Sequence, residues 1–164
     1  MAGAAKTEWV LLAYRLPREP STPRISVWRK LRRLGAVQVL GGLVALPRDA
    51  RTLEQLGWIA DEVIAAGGDP YLFEGRPGSL TQENELVERM RSEVATAYRK
   101  LVAEAETLPS DTDPEEARRG LARLRRELAR IRRRDFFPPP ERERAIAVLA
   151  DLAAAITETP RASS

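Results

Sequence analysis

Apolar residues near the start of the chain form one short continuous run, and the pattern then changes to helical spacing. The run EWVLLAYRL at residues 8–16 is closed by a proline and predicts a buried strand. After the turn PREPSTP, Ser21 or Thr22 can cap a helix that carries Pro23 in its first turn. Gly35 can adopt the left-handed conformation that ends such a helix. A strand followed by a helix is therefore predicted here.

The next segment predicts a hairpin, a second helix and a fourth strand. AVQVL and LVALP flank Gly41 and Gly42, which can supply the positive φ angles of a two-residue turn. Thr52 and Gln55 match a capping box, and the helix they begin runs to the next pair of glycines. The segment DPYLFEG then predicts a strand. The order βαββαβ predicts an α+β fold of the ferredoxin-like type, with an antiparallel sheet covered on one face by two helices.

Helical spacing continues through the second half of the chain. Ser79 with Gln82 predicts a capped helix that extends to about Leu108, and Asp113-Pro114 begins another. A last helix, ERERAIAVLADLAAAIT, follows the break FFPPP. Apolar positions in the first two of these helices alternate three and four residues apart: Val87, Met90, Val94, Ala97 and Leu101, then Leu121, Leu124, Leu128 and Ile131. Such narrow seams require a partner helix.

We therefore predict three segments along the chain. Residues 1–78 form the ferredoxin-like domain, residues 79–159 form an extension of two or three helices, and residues 160–164 form a disordered tail. The pattern leaves open whether the extension packs on itself, on the sheet or across a homodimer interface.

Composition narrows the chemistry available to the chain, which has no cysteine and no histidine. Thiolate nucleophiles, histidine acid–base catalysis and Cys/His zinc sites are therefore excluded. No aspartate ends a predicted strand, and no glycine-rich phosphate loop is present. We expect a protein that is not an enzyme, with no catalytic residues, metal or cofactor. The chain shows neither signal-peptide organisation nor an apolar stretch of membrane-spanning length, so we expect a cytoplasmic protein without membrane contact.

The first predicted helix carries a basic cluster. Its members are Arg24, Arg29, Lys30, Arg32 and Arg33. On a helical projection Arg29 and Arg33 point nearly opposite to the side that faces the sheet, with Lys30 and Arg32 on the flanks. The cluster could either follow a phosphate backbone or form a solvated outer face. Arg24 is placed on the inward face at the helix start, where it could lie along the sheet edge or hold a carboxylate or oxyanion.

A denser basic cluster lies on the helix after Asp113. One stripe of that helix carries Arg119, Arg123, Arg126, Arg130 and Arg133. Repulsion along such a stripe costs a few tenths of a kcal/mol per pair, so other contacts must offset it. Salt bridges to the preceding helix are one explanation, because that helix carries Glu83, Glu85, Glu88, Glu93, Glu104 and Glu106. Contact with nucleic-acid phosphates is the other.

Aromatic residues are assigned to the core. Trp9, Trp28 and Trp58 are predicted to point inward and not to serve as stacking platforms for bases. Phe136-Phe137 is predicted to form a hydrophobic plug at a helix end.

The segments WVLLAYRLP, SxxRxxVWRKLRRLGAVQVLGGLVALP and LGWIADEVIAAGGDPYLFEGR resemble the N-terminal domain of the ChrB family of chromate-resistance regulators. The helix carrying YRKL and the segment RIRRRDFFP are also similar to that family, so the resemblance covers most of the chain. Its most specific part is the run Arg24, Trp28, Arg29, Leu31, Gly35 and Ala36. The resemblance implies a transcriptional regulator of a chromate-efflux operon whose N-terminal region contacts DNA.

The resemblance is limited in one respect. Family members with the full architecture carry a further C-terminal domain, which we expect this chain to lack, so chromate sensing does not carry over with the rest. No thiol is present to reduce chromate, but an arginine-lined pocket could still bind chromate or another oxyanion, and Arg24 is the candidate residue.

Three functions remain open from the sequence. The first is a DNA-binding regulator or co-regulator that acts through both arginine-rich helices. The second is a protein-interaction module whose helical seams bind another helix. The third, which is disfavoured, is a relative of the ferredoxin-like CRISPR adaptation nucleases, which place a metal-binding aspartate at the end of the first strand. Here the matching residues are Tyr14, Arg15 and Leu16, without a carboxylate.

Overall fold

The computed structural model describes residues 7–108 and 113–158, which contain four strands and five α-helices. In chain order the elements are β1 (Trp9–Arg15), α1 (Thr22–Leu34), β2 (Val37–Leu40), β3 (Leu43–Pro47), α2 (Ala50–Ala65), β4 (Asp69–Gly75), α3 (Leu80–Glu106), α4 (Pro114–Arg133) and α5 (Glu141–Glu158). The predicted α+β class is confirmed, and so are the helices after the sheet.

The chain divides into two compact units, and the boundary lies within α3, between Met90 and Arg91. The predicted limits 1–78 and 79–159 describe the chain by its sequence pattern and stay predictions. The predicted tail, residues 160–164, lies outside the described residues.

The sheet of the first unit is antiparallel throughout, with its strands in the order β2-β3-β1-β4. Leu12 of β1 lies opposite Val44 of β3 on one side and Leu72 of β4 on the other. Because side chains alternate between the faces of a strand, Val10 and Leu12 point the same way, and both are fully buried. α2 packs against β1 and β4, and α1 packs against α2.

The predicted hairpin forms, but only one of its two glycines has a positive φ angle. Leu40 pairs with Leu43, so Gly41 and Gly42 connect the strands. Gly42 has a φ angle of 78°, and a Cβ atom there would lie 2.8 Å from the carbonyl oxygen of Tyr14. The Tyr14 N–H donates to the Gly42 carbonyl at 2.8 Å, which holds the turn against β1. The prediction is wrong at Gly41, because some two-residue turns need only one left-handed residue.

α2 begins with a capping box three residues earlier than the sequence pattern indicated. The Asp49 side chain accepts from the Thr52 N–H at 2.7 Å, and the Asp49 N–H donates to Thr52 Oγ1 at 2.9 Å. Thr52 Oγ1 also donates to the carbonyl of Pro47, which ties the first turn to the end of β3. The assignment of the box to Thr52 and Gln55 is wrong, because aspartate is an equally good cap and Thr52 is fully buried inside the helix.

Two other predicted helix signals are confirmed. Gly35 follows α1 with a φ angle of 82°, and its N–H donates to the carbonyl of Arg32. Ser79 Oγ accepts from the Gln82 N–H at 3.2 Å before the start of α3.

The second unit is helical, and its core contains side chains from α3, α4 and α5. The buried core residues are Val94, Tyr98, Leu101, Val102, Ala105, Leu124, Ile131, Ala145 and Leu149. This set includes residues of both alternating seams that the sequence shows. The α4 seam and the part of the α3 seam from Val94 onward therefore pack within the second unit itself, which is one of the arrangements that the sequence left open, whereas Val87 and Met90 belong to the first unit.

Candidate functional site

An open cavity in the first unit lies where the end of β1, the beginning of α1 and the β2–β3 hairpin come together. Its volume of about 720 Å³ falls in the range of about 300–1,000 Å³ that is typical of small-ligand pockets. The lining residues are Tyr14, Leu16, Arg18, Ser21, Arg24, Ile25, Trp28, Gln38, Gly41 and Gly42. The lining thus holds two arginines and no acidic residue.

The two arginines of this lining keep their charge available to the cavity. No carboxylate in residues 7–108 or 113–158 pairs with Arg18 or Arg24. Burial raises the pKa of the Tyr14 hydroxyl, and the positive charge of Arg24 partly offsets that shift. Tyr14 is therefore a neutral hydrogen-bond donor near pH 7, beside an unpaired guanidinium. The predicted position of Arg24 at the helix start is where the structure places it, but the side chain is exposed to the cavity and is not turned inward.

One wall of the cavity is apolar and solvent-accessible. Ile25 is 47% exposed and Trp28 is 49% exposed. The guanidinium carbon of Arg32 lies 5.0 Å from the centre of the Trp28 ring, a cation–π distance. Arg32 therefore supports the indole and leaves about half of its surface accessible.

The prediction that all three tryptophans belong to the core is correct for Trp9 and wrong for Trp28 and Trp58. Trp9 is buried, and its Nε1–H donates to Glu83 Oε1 at 3.1 Å. Trp58 is 61% exposed because it follows the buried Leu56 by two residues, which places it about 200° around the helix. Trp28 stands at the edge of the narrow buried stripe of α1.

The outer face of α1 presents two arginines that have no acidic partner. Arg29 and Arg33 are both exposed, and neither pairs with a carboxylate in the described part of the chain. Lys30 is engaged: its Nζ lies 2.7 Å from Glu62 Oε2 of α2. Of the four outward residues predicted to bind DNA, two are therefore available, Lys30 is paired, and Arg32 lies against an aromatic ring.

The stripe on α4 is partly neutralised. Arg123 reaches Glu104 of α3 at 3.7 Å, and Arg130 reaches Glu127 of its own helix at 3.2 Å. Outside the stripe, Arg118 pairs with Glu115 at 2.8 Å. Arg119 and Arg126 are exposed and have no carboxylate partner within residues 7–108 and 113–158. Arg133, the last member of the stripe, is exposed near the end of α4.

The acidic residues of the predicted partner helix make different kinds of contact. Glu104 pairs with α4, and Glu106 pairs with Arg144 of α5 at 3.4 Å. Glu83 is buried in the first unit, where it accepts hydrogen bonds from the Thr7 N–H and from Trp9. Part of the acidic surface of α3 is therefore used to hold the N-terminal strand.

A buried polar cluster in the second unit was not identified from the sequence. The Tyr98 hydroxyl donates to Asp135 Oδ2 at 2.6 Å, and Arg142 Nη1 lies 4.0 Å from the same oxygen. The Asp135 side chain is 0% exposed. Burial, followed by the bond to Asp135, raises the pKa of Tyr98 well above its ordinary value. The sequence signal for this cluster was a single acid between a run of arginines and Phe136-Phe137. The two phenylalanines, which were predicted to form a hydrophobic plug, are only half-buried.

The structure shows no group of acidic residues that could hold a metal ion in residues 7–108 and 113–158. Within the same ranges, no helix is long and apolar enough to cross a membrane.

Comparison with known proteins gives the family. The family described as "Protein ChrB, N-terminal" matches residues 24–160. "Protein ChrB" of Cupriavidus metallidurans is 30% identical over 159 residues, which cover 95% of this chain and 48% of that protein. The chain thus spans about half the length of this relative. No solved structure matches the chain. Because the family match extends over most of the chain and confirms the resemblance seen in its motifs, this chain belongs to the ChrB N-terminal family.

Proposed function

We propose that this chain is a DNA-binding transcriptional regulator or co-regulator associated with chromate resistance, and that it acts in the cytoplasm by binding and not by catalysis. The observation that carries the proposal is the pair Arg29 and Arg33 on the outer face of α1, exposed and without an acidic partner in the described residues. Guanidinium groups that no carboxylate neutralises are available to phosphate oxygens. Arg119 and Arg126 of α4 offer a second pair of the same kind.

We infer further that the first unit has a ferredoxin-like fold. Two features support this inference: the element order βαββαβ, and the antiparallel arrangement β2-β3-β1-β4 with two crossover helices. In this arrangement α1 leaves its outer face accessible, which a phosphate-binding helix requires. A homodimer would present two copies of that face, as many regulators do for two half-sites.

The test measures fluorescence anisotropy of labelled DNA from upstream of the gene, and of a scrambled DNA of equal length, across a salt series. We expect the upstream DNA to be preferred. Arg29→Ala/Arg33→Ala should lower affinity roughly tenfold and reduce the slope of log affinity against log salt by about 0.9 for each phosphate that is no longer neutralised.

The matched control is Arg15→Ala/Arg48→Ala, which removes two positive charges from the same unit. Arg15 pairs with Asp69 at 2.9 Å and Arg48 pairs with Glu74, so neither is available to a phosphate. An equal loss of affinity in both double variants would mean that DNA responds only to net charge, which would contradict the proposal. Weak and equal binding to both DNAs that disappears near physiological salt would instead favour a protein-interaction module.

A further inference from the structure

We propose that the cavity between β1, α1 and the β2–β3 hairpin binds a small aromatic anion of about mononucleotide size, a planar ring that carries a phosphate or carboxylate group. The cavity is a different surface from the outer face of α1, because Arg29 and Arg33 do not line it.

The size of the cavity indicates an organic ligand. Water occupies about 30 Å³ per molecule in the liquid, and an oxyanion with four oxygens has the volume of only a few waters. The cavity measures about 720 Å³. A lone oxyanion such as chromate would leave most of this space to solvent.

The charge of the lining indicates an anion. Arg18 and Arg24 both face the cavity, and no acidic side chain lines it. Within the described ranges neither arginine pairs with a carboxylate. Guanidinium groups bind phosphate and carboxylate through paired N–H donors, and the hydroxyls of Tyr14 and Ser21 add further donors to the same lining.

The apolar wall indicates a planar ring. Trp28 lines the cavity with about half of its surface exposed, and Arg32 supports it from a position one helical turn later. Ile25 extends this wall, and Gln38 supplies an amide that can both donate to and accept from the edge of a heterocycle. A supported and exposed indole is a surface on which planar rings stack.

The experiment is isothermal titration calorimetry on the full chain with separate probes. Deoxyadenosine monophosphate tests an aromatic phosphate and 1-naphthoate tests an aromatic carboxylate, which distinguishes the two sources of the charge. Deoxyadenosine lacks the anion, whereas inorganic phosphate and chromate lack the ring. We expect at least one aromatic anion to bind at least tenfold more tightly than deoxyadenosine, phosphate and chromate.

Substitutions in the cavity lining test whether the aromatic anion binds there. Arg24→Gln and Trp28→Ala should each weaken binding of the aromatic anion about tenfold, the first by removing charge and the second by removing the stacking surface. Arg24 is exposed and Trp28 is 49% exposed, so their loss should leave the fold intact. Arg29→Gln is the matched control, because it removes an unpaired arginine next to Trp28 that does not line the cavity, and it should bind the anion as the parent chain does.

Several outcomes would overturn the inference. Binding of phosphate or chromate as tight as that of the aromatic anions would reduce the cavity to a site for a lone oxyanion. Binding that Arg24→Gln and Trp28→Ala leave unchanged would place the ligand elsewhere, and no binding of either aromatic anion would reject the site. DNA affinity tests the proposed function independently of the cavity, because substitutions of Arg29 and Arg33 should lower it and substitutions of Arg24 and Trp28 should not.

Discussion

The two arginine-rich helices differ in what surrounds their charges. α1 carries fewer basic residues than α4, yet Arg29 and Arg33 have no acidic partner in the described chain, and Trp28 stands exposed beside them. On α4, acids on the same or the preceding helix neutralise Arg123 and Arg130. On this stripe two of the five arginines are thus paired, whereas Arg119 and Arg126 have no acidic partner in the described residues. The number of arginines on a helix is a poor measure of the charge that remains available to a ligand, because nearby carboxylates decide it.

The largest expected effect concerns the buried cluster that follows α4. Tyr98→Phe removes the hydroxyl that donates to Asp135 and leaves that buried carboxylate without its hydrogen bond. Leaving a buried polar group unsatisfied costs about 1–3 kcal/mol, so the free energy of unfolding should fall by that amount in urea titrations at pH 7. DNA affinity should not change, because the hydroxyl is not on the exposed arginine surface. A loss of DNA affinity without loss of stability would contradict a purely structural role for the end of α4.

The same tyrosine predicts a dependence on alkaline pH. Its folded pKa lies above the ordinary value of 10.0, so the protonated form is favoured by folding. That contribution is fully present below about pH 10 and declines as the pH rises toward the folded pKa. The parent chain should therefore lose stability more steeply above pH 10 than Tyr98→Phe does. Tyr71→Phe, at an exposed position of β4, is the control and should follow the parent chain.

A smaller effect compares paired with unpaired arginines on α4 itself. Arg119→Ala/Arg126→Ala removes two charges that have no acidic partner in the described residues, and Arg123→Ala/Arg130→Ala removes two that are paired. We expect the first double variant to weaken DNA binding about threefold to tenfold and the second by about twofold or less, measured by anisotropy at one salt concentration. Equal effects would show that pairing on this helix does not limit phosphate contact.

Local signals in the sequence predicted most of the fold. Gly35 and Ser79 act within one turn of a helix, so their neighbours alone determine what they do, and both were predicted correctly. The capping box was assigned to the wrong residues because Asp49 and Thr52 fit the same spacing rules as Thr52 and Gln55. Choosing between them requires knowing that the Thr52 side chain is buried and bonds to the carbonyl of Pro47 at the end of β3, which the spacing alone does not show.

The candidate site could be predicted only in part. The exposed arginines follow from helical periodicity, and Arg24 was assigned to a pocket from its place at the helix start. The aromatic wall was missed because large apolar side chains were assigned to the core by type, although Trp28 lies beside the stripe occupied by Val27 and Leu31. The cluster of Tyr98 and Asp135 joins residues 37 positions apart, and no local pattern encodes such a contact.

The smallest expected effect separates two neighbouring cations on α1. Lys30 holds Glu62, and its hydrogen bond, together with that of Ser26, lowers the pKa of this carboxyl although partial burial opposes the shift. Lys30→Ala should lower the free energy of unfolding by no more than about 1 kcal/mol at pH 7, because both groups are partly exposed. Folding lowers the pKa of Glu62, so the difference in the free energy of unfolding between the parent chain and Lys30→Ala should be present above pH 4.5 and vanish as the pH falls through the folded pKa.

Arg29→Ala should show the opposite pattern, with unchanged stability and weaker DNA binding. If Lys30→Ala instead weakened DNA binding as much as Arg29→Ala, the ion pair would have to open on contact with DNA, and pairing in the free protein would not predict which cations of α1 meet phosphate.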